Sequence, residues 1–296
     1  MLRRDVTVTL RDGRSLEVAA FGDPQHPTLV LHHGSPGSHL LSEALAERAV
    51  ARGYFLITSS RAGYGKSSRL LGRRVADVVS DTQDLLDALG RDQYLTIGWS
   101  GGGPHALACA ALDPGRCRGA WSIAGVVPID VDFDWTAGMG PENLAEFALA
   151  VEGGPAHEAH ARESGRDFET ATAENIVEIF GGLLSAVDVA ALTSEESRAQ
   201  LAASCRHGFA EGYFGFYDDD RAFFSPWGVS PAEITVPTQI WYGDEDLMVP
   251  PTHGQWLVAT IPGATEVHRP LEGHISVLTG FQDDLFDSLD EVWASS

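Results

Sequence analysis

Short apolar runs and longer amphipathic stretches take turns along the first 127 residues. Val6 to Leu10 and Leu16 to Phe21 are β-like runs separated by Asp12-Gly13, a turn-favouring pair, and predict a hairpin. Thr28 to His32, Phe55 to Thr58, Tyr94 to Ile97 and Ala120 to Ala124 are nearly continuous apolar runs, as expected of buried strands. Helical stretches separate them, from about His39 to Ala51, Val75 to Leu89 and Gly101 to Leu112. Strands alternating with helices pair in parallel through right-handed crossovers, and the leading hairpin can supply an antiparallel edge. After Val127 the pattern changes. Pro128 to Pro231 holds mostly helical stretches, among them Glu142 to Val151 and Asn175 to Ala186. Strand runs return at Thr238 to Tyr242 and Thr265 to His268, and a last helix covers about Val277 to Val292. The expected organisation is an α/β core, residues 1–127 and 232–296, interrupted by a helical cap over 128–231.

Composition narrows the partners. Acidic residues outnumber basic ones 42 to 20, a formal charge of −22 that keeps the chain soluble and repels phosphate backbones and anionic lipid headgroups. Neither nucleic acid nor a membrane is therefore an expected partner; a small-molecule substrate is. Lys66 is the one lysine, and the arginines are scattered, forming no patch. Cys109, Cys117 and Cys205 are an odd, sparse set without metal-site spacing, which argues against a disulfide framework or zinc. Arg3 and Arg4 are followed by a strand-like run rather than an apolar one, and no 18-residue apolar stretch occurs. The expectation is a cytoplasmic protein with no signal peptide and no spanning helix. The sequence carries no signal for an oligomeric state.

Candidate chemistry begins at Gly98-Trp99-Ser100-Gly101-Gly102, a G-x-S-x-G pattern between a predicted strand and a predicted helix. A serine on such a turn takes a strained backbone, projects its hydroxyl above the sheet edge, and needs small neighbours, here Gly98 and Gly102. His33-Gly34-Ser35-Pro36-Gly37 follows the third strand and can bring a backbone N–H beside that serine. Acyl transfer needs two such donors for its oxyanion, here assigned to Gly101 and Ser35. A serine hydroxyl also needs an imidazole to take its proton. Of eleven histidines, His274 lies in a glycine-containing loop after the last predicted strand, where it can reach the sheet edge. For the carboxylate that orients it, Asp246 in the loop after Tyr242 is best placed; Asp130 and Asp132, after the preceding core strand, are rivals. His33 and Trp99 are expected to line the substrate site. No metal or cofactor is required.

In order and spacing these stations resemble the α/β-hydrolase superfamily across nearly the whole chain. The pieces that carry the resemblance are His33 to Gly37, Arg61-Ala62-Gly63-Tyr64-Gly65-Lys66-Ser67, Gly98 to Gly102, Gly243 to Pro250 and Gly273-His274. The resemblance implies a mostly parallel eight-stranded sheet flanked by helices, with a cap after strand six, and it assigns Asp246 as the acid. Haloalkane dehalogenases and epoxide hydrolases of this fold use an aspartate nucleophile, so Ser100 argues against both. The expected activity is cleavage of a carboxylic ester of a small to medium, largely apolar substrate. The alternatives are a serine-dependent hydrolase of an amide, a lactone or a carbon–carbon bond, and a ligand receptor with slow turnover. Eight aromatic residues between Phe209 and Trp227 are read mainly as the cap's own core, and the Asp218-Asp219-Asp220 run among them as a solvated turn.

Overall fold

The structure is a computed structural model describing residues 3–295. Eight strands form one sheet: β1 (Arg3–Thr9), β2 (Ser15–Phe21), β3 (Thr28–His32), β4 (Phe55–Ser59), β5 (Tyr94–Trp99), β6 (Cys117–Ile123), β7 (Thr238–Gly243) and β8 (Thr265–Arg269). Their spatial order is β1-β2-β4-β3-β5-β6-β7-β8, with β2 antiparallel to both its neighbours and every other pairing parallel. The expected hairpin and parallel core are both present. Alternate residues of the central strands enter different apolar clusters: Leu29, Leu31 and Leu56 lie in one, Val30, Phe55 and Ile57 in the other. The sheet is thus covered on both faces, which is why these strands read as unbroken apolar runs.

Helices α1 (Glu43–Ala51), α2 (Val78–Ala88) and α3 (Gly103–Leu112) connect the parallel strands. Between β6 and β7 come six more: α4 (Pro141–Glu152), α5 (Gly154–Glu169), α6 (Ile176–Phe180), α7 (Ala186–Ala191), α8 (Glu195–Gly208) and α9 (Phe214–Phe223). Helix α10 (Pro251–Thr260) follows β7, and α11 (Ser276–Thr279) and α12 (Gln282–Ser295) close the chain. Two expected helices are broken in the fold. The stretch 175–186 divides at Gly181, whose φ of +54° no regular helix accommodates, and the C-terminal one divides at Gly280. Cys109, Cys117 and Cys205 are buried free thiols. Among the described residues no helix is long and apolar enough to cross a membrane.

The acidic run Asp218-Asp219-Asp220 is not a solvated turn. It lies in α9, and all three side chains are buried. Asp219 makes ion pairs with Arg61 at 2.5 Å and Arg73 at 2.7 Å, and accepts the Tyr64 hydroxyl at 2.8 Å. Arg69 holds Asp218 at 2.7 Å, and His157 Nε2 shares a hydrogen bond with Asp220 at 2.8 Å. The Asp219 charge is buried because its counter-charges, Arg61 and Arg73, are buried with it. Burial pushes the Asp219 carboxyl up, but Arg61 and Arg73 overcome this and hold it well below the usual carboxylate range.

Removing Asp219 strands two buried guanidinium groups. Asp219→Ala is expected to lower the unfolding free energy by about 3–5 kcal/mol, read from urea denaturation at neutral pH. The depressed folded pKa sets the sign of the pH dependence. The contribution is complete above the ordinary aspartate value of about 4 and disappears as pH falls below it toward the folded value. The difference between wild type and variant should therefore shrink only in strong acid; a difference that is constant down to pH 2 would contradict the assignment.

Candidate active site

Strands β3, β5, β7 and β8 run parallel, so the loops at their C-terminal ends converge on one edge of the sheet. Ser100 follows β5 directly and has φ +56°, a left-handed conformation rare for a residue with a side chain. The turn is tight enough that a Cβ on Gly98 would run into the Gly102 carbonyl, and one on Gly102 into the His32 carbonyl. The Gly34 loop lies against this turn: a Cβ on Gly34 would sit 3.2 Å from that of Ser100.

His274, in the loop after β8, is buried, and its Nδ1 donates to Asp246 Oδ2 at 2.8 Å. Asp246 follows β7, and its other oxygen accepts the N–H groups of Met248 and Val249, both at 2.8 Å. That leaves His274 Nε2 buried without a hydrogen-bond partner among the described residues. Burial pushes the imidazole pKa down, but the charge and hydrogen bond of Asp246, with a smaller contribution from Asp188, raise it above 6.5. Of the rival acids, Asp130 and Asp132 are exposed, and Asp244 is paired with His268 at 2.7 Å.

Ser35 and Gly101 both border the cavity that contains Ser100. The Ser35 hydroxyl donates to Asp219 and accepts from Arg61 at 3.0 Å, and Arg61 also donates to the carbonyls of His33 and Gly34. The loop is thereby clamped, with its Ser35–Pro36 bond cis.

His33 and Trp99 do not line this cavity, contrary to expectation. The His33 ring is consumed by the loop itself: Nδ1 donates to the Gly34 carbonyl at 2.6 Å and Nε2 accepts the Arg61 N–H at 3.1 Å. Burial, aided by the Arg61 charge, pushes its pKa well below 6.5 and keeps it neutral. Trp99 donates its indole N–H to the His274 carbonyl at 3.0 Å, tying the serine turn to the histidine loop. Both residues instead border a second, smaller cavity of about 150 Å³.

The cavity at Ser100 measures about 520 Å³. Val126, Met248 and Val249 make its apolar floor, and helices α4, α5, α6 and α9 supply most of its wall. Of the eight aromatics, only Phe216 and Phe223 line it, while Phe209 stacks on Phe168 and Phe224 packs against Trp135 and Phe147. The wall is also acidic: Glu142, Glu146, Glu163, Asp167 and Asp220 border the cavity, with no lysine or arginine among its lining residues. Burial and the Asp220 charge push Glu146 well above the usual range; burial and the Asp219 charge do the same to Asp220. The sequence pattern did not reveal this wall, because α4, α5 and α9 meet only in the fold. Glu17, His39 and His207 bring three possible metal-ligand atoms within 4.8 Å of one another, outside this cavity. Those atoms are engaged with each other, His207 on Glu17 at 2.7 Å.

Comparison with known proteins agrees with this fold. Over 114 residues the chain is 35% identical to epoxide hydrolase B of Mycobacterium tuberculosis, a match covering 38% of this chain and 30% of that relative. Over 148 residues it is 30% identical to a non-heme chloroperoxidase of Streptomyces lividans, covering 49% of this chain and 54% of that relative. The chain thus matches about a third to a half of the length of these relatives. Its fold is similar to that of an esterase from Exiguobacterium antarcticum, with a TM-score of 0.74 at 19% identity over 99% of this chain and 100% of that one. The alpha/beta hydrolase fold family matches residues 27–281, a span that holds Ser100, Asp246 and His274 together with the loops that carry them, and the chain belongs to that family.

Proposed function

We propose that the protein hydrolyses carboxylic esters of small to medium, largely apolar substrates through an acyl-enzyme on Ser100. The observation that carries this reading is the buried His274 ring, with Nδ1 spent on Asp246 and Nε2 unpaired. In the reaction Ser100 Oγ attacks the carbonyl carbon while His274 Nε2 takes its proton, and Asp246 stabilises the imidazolium. The N–H groups of Gly101 and Ser35 receive the oxyanion. As the intermediate collapses, His274 returns the proton to the leaving alkoxide. Water, deprotonated by the same ring, then releases the acid and restores Ser100. The helices between β6 and β7 act as a cap that walls the substrate in. The epoxide hydrolase likeness is not carried over, because a serine stands at the turn where the resemblance assigns such enzymes an aspartate.

Ser100→Ala is expected to abolish labelling by a fluorophosphonate and to cut turnover by about 10⁴ to 10⁶ while the protein stays folded. Full turnover by the folded variant would falsify the mechanism. Asp246→Asn should lose about 10³-fold or more in kcat by misorienting His274, whereas Asp130→Asn and Asp244→Asn should do far less. A more damaging Asp130→Asn would move the acid to the loop after β6.

The base must be neutral to act, and its pKa is raised above 6.5. The acid limb of kcat/KM should therefore lie above pH 6.5, with activity lost as pH falls through it, and Asp246→Asn should displace the limb downward. An acid limb at pH 5 in the wild type would contradict a raised His274 pKa.

The cavity volume and acidic wall bear on substrate choice. Soluble esters of short to medium chain that are neutral, or carry a cation, are expected to react best with simple saturation; anionic acyl groups are expected to be poor. A p-nitrophenyl ester panel graded by chain length and charge measures this. Rates that climb to the longest chains and jump above the solubility limit would make the protein a surface-acting lipase instead.

A further inference from the structure

His274 is gripped at three points, and only two belong to the sheet edge. Asp246 holds the ring and Trp99 holds the backbone carbonyl. The third grip comes from α7, in the helices inserted between β6 and β7. Asp188 there is fully buried, and its Oδ2 accepts the His274 N–H at 3.0 Å. Its Oδ1 accepts the N–H groups of Ile275 at 2.8 Å and Ser276 at 3.1 Å. Ser185, one turn back at the start of α7, donates its hydroxyl to Asp188 Oδ2 at 3.0 Å and fixes the carboxylate from behind. The fit leaves no slack: a Cβ on Gly273 would lie within 2.6 Å of Asp188 Oδ1.

Three parallel N–H groups on one carboxylate define the height and tilt of the histidine loop. A buried carboxylate with four donors is also costly to disturb, since any donor it releases is left unsatisfied. We propose that Asp188 is a positioning residue that sets His274 for proton transfer, so that the inserted helices complete the base as well as cover the site. This rests on the reading of Ser100 and His274 given above. Asp188 touches no reacting atom. It acts through the backbone of His274, and Asp246 and Asp188 are the charged groups that bear on the ring.

The test uses the full chain and p-nitrophenyl acetate, with Asp188→Asn measured beside wild type, Ser100→Ala and His274→Ala. Asp188→Asn is expected to lower kcat by about 10²-fold, since displacement of a reacting group by about an ångström costs that much. KM should stay within about three-fold, and the acid limb of kcat/KM should move to lower pH because one charge beside the ring is gone. Gly273→Ala, which pushes the carboxylate off the loop without removing it, should reproduce the fall in kcat. Combining the two changes should cost much less than the product of the separate losses, because both break one contact. Asp188→Asn with wild-type kcat and acid limb overturns the proposal. So does a loss of activity that only tracks loss of folded protein, with the acid limb unmoved. Where Asp188→Asn does not fold, Gly273→Ala decides on kcat against KM. Wild-type turnover in Asp188→Asn while Ser100→Ala and His274→Ala are inactive defeats the positioning role alone; turnover retained in Ser100→Ala overturns the reading of the site with it.

Discussion

The buried ion pairs of Asp219 with Arg61 and Arg73 are the constraint on which the rest of the structure leans. The carboxylate is completely buried and the two arginine side chains are no more than 5% exposed, so none of the three charges can fall back on water. Such a cluster adds little net stability by itself, because desolvation offsets attraction, but losing one member is severe. Its value is geometric. Arg61 comes from the loop after β4, Arg73 from the approach to α2, and Asp219 from α9, so the network fixes the inserted helices against two core loops. Through the His33 and Gly34 carbonyls and the Ser35 hydroxyl, the same guanidinium and carboxylate fix the loop beside Ser100.

The two sides of the serine are held in similar ways. One buried carboxylate from α9 clamps the Gly34 loop, and another, Asp188 from α7, clamps the histidine loop. Trp99 joins the two sides by linking the serine turn to the His274 carbonyl. The left-handed backbone at Ser100 is strain that such surroundings must hold in place. Glycines at 98 and 102 let the neighbouring backbone close around the turn where any side chain would collide.

What was legible in the sequence was local. Ser100 and the glycines around it, Asp246 and His274 each announce themselves through the loop in which they sit, and the alternation of apolar runs with helical stretches yields the sheet. The residues that were not legible depend on partners far away in the chain. Asp219 meets Arg61 across 158 positions and Asp188 meets His274 across 86, and nothing near either residue signals it. Three consecutive aspartates read as a solvated turn because burial of charge is a property of the assembled fold. The Ser185-x-x-Asp188 spacing does mark a helix start, yet three of the carboxylate's four donors come from another loop. His33 and Trp99 lie beside the site in sequence, but their polar atoms are taken up in bracing it.

Helix α9 shows how closely support and cavity wall are joined. Phe216, Asp220 and Phe223 recur at the four- and three-residue spacing of one helical face, and all three border the cavity at Ser100. Asp219 sits beside that face and reaches the Arg61 network instead. A change in the wall that shifts or rotates α9 therefore moves the anchor of the Gly34 loop by the same amount. Close packing transmits such shifts rather than absorbing them. The wall that would choose a substrate and the brace that holds Ser35 thus share one rigid element. A substitution at Phe223 that left the α9 backbone in place would alter the wall alone. One that repositions that backbone alters the wall and the loop together.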